Sequence, residues 1–277
     1  VLFRSGQNMN IDLMRQVDYW AGVPLSFLST YLLKPLFALQ KPKKPSKVLL
    51  IELSEMGSTI LCDPAMQKLK ESGCDLFFVI FKKNEPSLRL LNTVTPENTF
   101  TIREDSLSTL AVDTLSFLVW CRKKGIDSVI DLELFSRFTA LLTGFCGATN
   151  RVGFYSFFNE GLYRGDMLTH KVAYNPHIHI AKNFISLTNA LLSSAPETPY
   201  SKKAVTDGEI KLKKAEIKDE AKAAIVEKIK WALPLYDESR RIVIFNANAS
   251  DLMPLRRYEN HKGRFGVPCG FQEWREG

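Results

Sequence analysis

Four short stretches of the chain hold residue types that could do chemistry. In the first, Glu52, Ser54, Glu55 and Ser58 fall within seven residues, with Met56 and Gly57 between them. With Gly57 allowing close backbone approach, such a helix start suits an anion or a polar ligand, because free N–H groups gather there. A plain helix cap by Ser54 or Ser58 is the competing reading. In the second, Asp131, Glu133 and Arg137 lie within seven residues. A carboxylate at the end of a buried strand is costly unless it is paired or used, so an Asp131–Arg137 ion pair and a ligand role both remain open. The third holds His170, His177 and His179. The i, i+2 pair does not share a helix face, so a zinc site would need extended geometry, and a capping role for His179 is the simpler expectation. The fourth, NANASDLMPLRR, places Asn248 and Ser250 ahead of Arg256 and Arg257. Adjacent guanidiniums can grip a phosphate with paired donors, or can simply be solvated.

The pattern around these stretches is strand–helix alternation. Apolar runs at 47–53, 74–81, 98–102, 127–132 and 150–154 predict strands. Helical spacing predicts helices over 58–72, 85–91, 107–124, 136–146 and 176–192. Strands that are apolar throughout, each followed by a helix, imply a parallel sheet covered on both faces. Ligands then bind at the carboxyl ends of the strands, where the first two stretches and the last one fall. A Ser/Pro/Lys-rich linker is expected over 195–208. After it, a strand at 209–212, a helix at 217–233 and a strand at 241–245 read as the opening of a second α/β unit. Neither G-x-G-x-x-G nor G-x-x-x-x-G-K-[ST] occurs, which removes the usual signatures of dinucleotide oxidoreductases and P-loop enzymes.

Composition narrows the classes further. The 277 residues carry 37 Lys and Arg against 30 Asp and Glu, a formal charge of +7. Six basic and two acidic residues in 1–46 account for +4 of it, so the body is nearly neutral and no nucleic-acid partner is expected. Five cysteines without a C-x-x-C pair read as reduced, buried thiols of a cytoplasmic protein, with neither disulfides nor a metal site. Residues 19–33 contain no charge, are bracketed by Pro24 and Pro35, and are followed by Lys34 and KPKK at 41–44. This suits a helix lying in a membrane interface, or one packing on the protein or a partner; fifteen residues are short for a span of about 20. Residues 1–8 read as foreign to the native chain. Residues 259–277, with four of the fifteen glycines and no period, read as non-native or as the end of a second domain cut short.

Several of these stretches match one family in order. KVLLIELSEMGSTILCDPAMQKLKES resembles the opening strand–loop–helix of the family 9 glycosyltransferases, the lipopolysaccharide heptosyltransferases. IDSVIDLELFSRFTALLTGFCGATNRVGF resembles their second hallmark, HIAKNFISLTNALL their later helix, and IVIFNANASDLMPLRRY the opening of their nucleotide-binding half. The resemblance implies a GT-B architecture of two Rossmann-like domains. Residues 47–194 would be the acceptor domain and 209–277 the start of the donor domain. It implies inverting transfer of a sugar from a nucleotide-diphosphate donor to a lipid-linked cell-envelope glycan, at the inner face of the membrane and without a required metal or other cofactor. Arg256 and Arg257, with Asn248 and Ser250, would meet the donor phosphates. Ser54, Met56, Gly57, Glu133, Arg137 and His179 would line the acceptor side, with Asp131 at the cleft floor. The family's loop carboxylate falls on Ser58, so Glu55, or Asp63 one turn on, is the expected substitute base. A non-catalytic glycan-binding or membrane-surface protein on the same fold is the alternative.

Overall fold

The computed structural model describes residues 16, 18–41, 43–155, 163–193, 204–212, 218–234 and 236–237. Expectations for residues 1–8, for 195–203, for the strand at 241–245, for Asn248, Ser250, Arg256 and Arg257, and for the tail at 259–277 lie outside these. The chain divides into two compact units between Ala215 and Glu216.

Six strands form the sheet of the first unit: β1 (Lys47–Ile51), β2 (Asp75–Phe81), β3 (Thr99–Ile102), β4 (Ser128–Asp131), β5 (Asn150–Phe154) and β6 (His170–Val172). All pair in parallel, in the order β3-β2-β1-β4-β5-β6. Successive residues of a strand point to opposite faces, so each apolar strand feeds two cores. On one face Val48, Leu50, Phe78, Ile80, Ile130 and Val152 meet α3 (Asp63–Glu71), α4 (Glu85–Leu91) and α7 (Ile180–Leu192). On the other, Leu49, Ile51, Phe77, Val79 and Val129 meet Phe117 and Cys121 of α5 (Leu107–Lys124), and Leu142 near the end of α6 (Arg137–Phe145). The expected parallel sheet with helices on both faces is the fold observed. Cys62, Cys74, Cys121 and Cys146 are buried free thiols.

Three local expectations are corrected, and one strand was not anticipated. The helix expected over 58–72 is two, α2 (Met56–Leu61) and α3, because Pro64 has no N–H to continue the ladder and Asp63 opens the new helix. The helix expected from 176 starts at Ile180, after a turn in which His179 accepts the Ala181 N–H. The expected strand at 209–212 is replaced by a 3-10 turn, Asp207–Glu209, closed by a Thr206–Glu209 capping box. The edge strand β6 carries only three residues, too few to form an apolar run, and is held by β5 through the Thr169 N–H to the Arg151 carbonyl (2.8 Å).

Ahead of the sheet, α1 (Gly22–Ala38) packs against α6. The second unit contributes α8 (Asp219–Ala232), within the expected 217–233.

Candidate functional site

The strand order reverses between β1 and β4, the place where open parallel sheets leave a crevice beyond their carboxyl ends. Ile51 pairs with Asp131 there, so the chain leaves β1 and β4 side by side. This brings together two acidic stretches about 80 residues apart. Glu133 Oε1 accepts the N–H groups of Leu53 (3.0 Å) and Ser54 (2.9 Å), fastening the β1 loop to the β4 loop. Glu52 Oε1 accepts the Glu55 N–H (3.2 Å), and the Leu53 carbonyl receives the Asn84 side-chain amide (2.6 Å).

The carboxylates differ sharply in environment. Glu52 is buried, and burial raises its pKa well above the ordinary carboxylate range; the neighbouring charge of Glu133 adds to the rise, against the Glu55 N–H. Asp131 is also buried and is pushed up to about 6 by desolvation, with the Arg164 guanidinium opposing and Glu133 reinforcing. Its Oδ1 accepts the Glu133 N–H (3.1 Å), and its Oδ2 pairs with Arg164. Arg164 also donates to the Ser136 carbonyl (2.8 Å) and to Thr139 Oγ1 (2.9 Å). Glu55 is exposed and accepts a hydrogen bond from the Ser58 hydroxyl (2.9 Å). Ser54, Met56 and Gly57 are exposed beside it, and no protein atom lies within 4 Å of where a Cβ on Gly57 would stand. The buried acids therefore hold the loops in place, while the Glu55–Ser58 pair faces solvent at the crevice.

Arg137 is not the partner of Asp131. It sits at the first turn of α6, after the Ser136 cap, and faces away toward α1. Its Nη1 donates to Asp18 Oδ2 (2.9 Å) and its Nε to the Tyr163 carbonyl (2.9 Å), while its own N–H reaches Asp18 Oδ1 (3.0 Å). Asp18 thus takes the guanidinium through one oxygen and the backbone N–H groups of Arg137 and Phe138 through the other, and the Asp131 charge is met by Arg164 instead. Neither Ser54 nor Ser58 caps α2, whose flanking residue is Glu55. Asp63 is buried on α3, where it accepts from Thr93 Oγ1 (2.6 Å) and Gln67 (3.3 Å), removed from the Glu55–Ser58 pair by the break at Cys62. His179 is exposed and caps α7; His170 bonds Thr169 Oγ1 (2.8 Å). Among the described residues no three His, Cys, Asp or Glu side chains gather as a metal-binding group.

Arg164 had no signal in the sequence. It lies 33 residues beyond Asp131 in a loop with no period, and only the need of a buried carboxylate for a cation hinted that such a residue existed.

No protein-family pattern and no curated protein matches this chain. Among solved structures it is similar to a glycosyl transferase family 9 protein of Veillonella parvula, at 18% identity over 70% of this chain and 51% of that one, with a TM-score of 0.44. It is also similar to E. coli heptosyltransferase WaaC with ADP, at 15% identity, 55% and 48% coverage and a TM-score of 0.45. E. coli ADP-heptose lps heptosyltransferase II gives 14% identity, 66% and 50% coverage and a TM-score of 0.46. The chain spans about half the length of each of these structures.

Proposed function

We propose that this chain carries the acceptor side of an inverting GT-B glycosyltransferase. It would move a sugar from a nucleotide-diphosphate donor to a lipid-linked glycan at a membrane surface. The observation that carries this reading is the meeting of two sequence stretches at the reversal of strand order. The motif following β1 and the motif following β4 are fastened by Glu133, leaving the exposed Glu55 carboxylate bonded to the half-buried Ser58 hydroxyl beside open backbone at Gly57. In the proposed reaction the acceptor hydroxyl attacks the anomeric carbon while its proton passes to the Glu55 carboxylate. The bond from that carbon to the diphosphate oxygen breaks, and the diphosphate leaves with the electron pair. Ser58 orients Glu55 through its hydrogen bond, and Ser54, Met56 and Gly57 border the acceptor. Asn248, Ser250, Arg256 and Arg257 are assigned to the departing diphosphate, whose charge guanidinium groups stabilise. No metal is assigned a role in this reading.

A second reading, a glycan-binding protein that does not turn over, draws support from Ser58, since a serine hydroxyl is no base at neutral pH. Glu55→Gln separates the two in a transfer assay with nucleotide-diphosphate sugars and detergent-dispersed membrane glycan. The transferase reading expects kcat to fall by about 100-fold or more with KM little changed. Wild-type turnover indistinguishable from the uncatalysed rate, with glycan binding retained, establishes the second reading. Arg256→Ala with Arg257→Ala should weaken donor binding in calorimetry.

A further inference from the structure

Helix α1 is inside out for a helix surrounded by water. Its buried positions are Gly22, Ser26, Ser29 and Thr30, and its outward face carries Leu25, Phe27, Leu28, Tyr31, Leu32 and Leu36. Trp20 just ahead of it is 75% exposed, Leu32 is 71% exposed, and Leu39 just behind it is 81% exposed. A soluble surface helix places its apolar stripe on the core and its polar stripe outside. A contiguous apolar face of this kind marks a contact with something other than water.

The inner face is built for close approach. A Cβ on Gly22 would lie 3.0 Å from the Arg137 side chain, and one on Gly165 would lie 2.8 Å from Thr30 Oγ1 and 2.9 Å from the Ser26 carbonyl. Thr30 Oγ1 donates to that carbonyl (2.8 Å) and accepts the Asp166 N–H (2.9 Å). Arginines fasten both ends. Arg137 holds Asp18, and the buried Arg151 stacks 3.6 Å from the Phe37 ring centroid and donates to Gln40 Oε1 (2.8 Å). The helix is thus a fixed part of the first unit, not a tether, and its apolar side is held outward.

Charge selects the occupant. From residue 19 to residue 51 there is no acid, while Lys34, Lys41, Lys43 and Lys44 are exposed along and just after the helix. At about 1.5 Å per residue its 17 residues reach about 26 Å with Pro35 inside, and no helix among the described residues is long and apolar enough to cross a membrane.

We propose that α1 lies in the plane of an anionic lipid surface. Its Leu, Phe, Tyr and Trp side chains enter the acyl boundary, and the four lysines meet the headgroups. Asp18 and Thr30 on the inner side tie this anchor to Arg137 and to the loop that carries Arg164. This rests on the reading above only for the acceptor's place at a membrane. Vesicle binding needs neither donor nor turnover, so the two can fail separately.

The test is sedimentation of the full chain with vesicles of phosphatidylcholine, with and without about a third phosphatidylglycerol. The wild type should bind the anionic vesicles. Replacing Lys34, Lys41, Lys43 and Lys44 together with Gln should lower partitioning at least ~100-fold. Leu28→Ser with Leu32→Ser and Leu36→Ser should lower it at least ~30-fold. Lys123→Gln, at an exposed lysine of α5, should leave it nearly unchanged. If the leucine variant loses its cooperative melt, the lysine variant, altered only at exposed positions, decides. Unchanged binding in the lysine variant overturns the proposal. So does a wild-type dimer in solution that the leucine changes dissociate, since a second copy would then be the occupant.

Discussion

Four acidic side chains at the ends of β1 and β4 share one loop cluster but do different work, because burial and partners separate them. Glu52 has a pKa raised chiefly by desolvation, so the folded chain keeps its proton to higher pH than the unfolded chain does. Its contribution is therefore fully present below about pH 4, where both states are protonated, and is lost as pH rises toward its folded value. Glu52→Gln, which keeps an acceptor for the Glu55 N–H, should match the wild-type melting temperature near pH 4 and exceed it by a few degrees at pH 8, at ~2–4 °C per kcal/mol. Melting curves at the two pH values check this; a variant less stable at pH 8 would mean that Glu52 is ionised and paired. Arg164→Met tests the opposite case. It leaves Asp131 buried without its cation, which should cost about 3–5 kcal/mol at pH 8. The cost should be smaller at pH 5, where Asp131, already raised to about 6, can hold a proton. Urea unfolding at both pH values reads the difference.

The elements that carry these groups were largely legible, since the strands are continuous apolar runs and the helices follow at 3.6-residue spacing. β5 (Asn150–Phe154), α4 (Glu85–Leu91) and α5 (Leu107–Lys124) fall where the pattern places them. The pattern did not show features that depend on tertiary partners. Pro64 divides one helical period into two helices, and β6 exists because β5 offers it a ladder. The Asp131–Arg164 and Asp18–Arg137 pairs join segments 33 and 119 residues apart. The acidic stretches at 52–58 and 131–137 were visible as separate groups, but Glu133 as the link between their loops was not. Gly165 belongs to this class as well: its φ of +79 and the 2.8 Å approach to Thr30 show that loop and helix are fitted to each other. Gly165→Ala should destabilise by more than about 1 kcal/mol, because the backbone conformation and the space both exclude a Cβ. Gly57→Ala, facing open space without positive φ, should be nearly neutral in the same urea titration.

Across the whole first unit, α1 and its flanks are joined to α6, to β5 and to the loop that carries Arg164 through contacts that pair buried polar groups. Arg151 illustrates the dependence. It is buried and donates to the carbonyls of Met167 (2.7 Å) and Ala148 (2.6 Å) as well as to Gln40, and burial lowers its pKa to about 10. Removing the helix would take Gln40 and the Phe37 ring from Arg151, Asp18 from Arg137, and the Thr30 hydroxyl from the Asp166 N–H. Deleting residues 1–40 should therefore have two effects of opposite kind. Solubility without detergent should rise, because the exposed apolar face is gone. Stability should fall by at least ~3 kcal/mol, because a buried arginine that loses a partner retains its desolvation cost. An α1 that were only an appended anchor would give the first effect without the second. Hydrogen exchange of residues 163–167 distinguishes the cases: protection lost in the deletion, but retained in the variant with Leu28, Leu32 and Leu36 changed to Ser, places the helix within the fold that shapes the crevice.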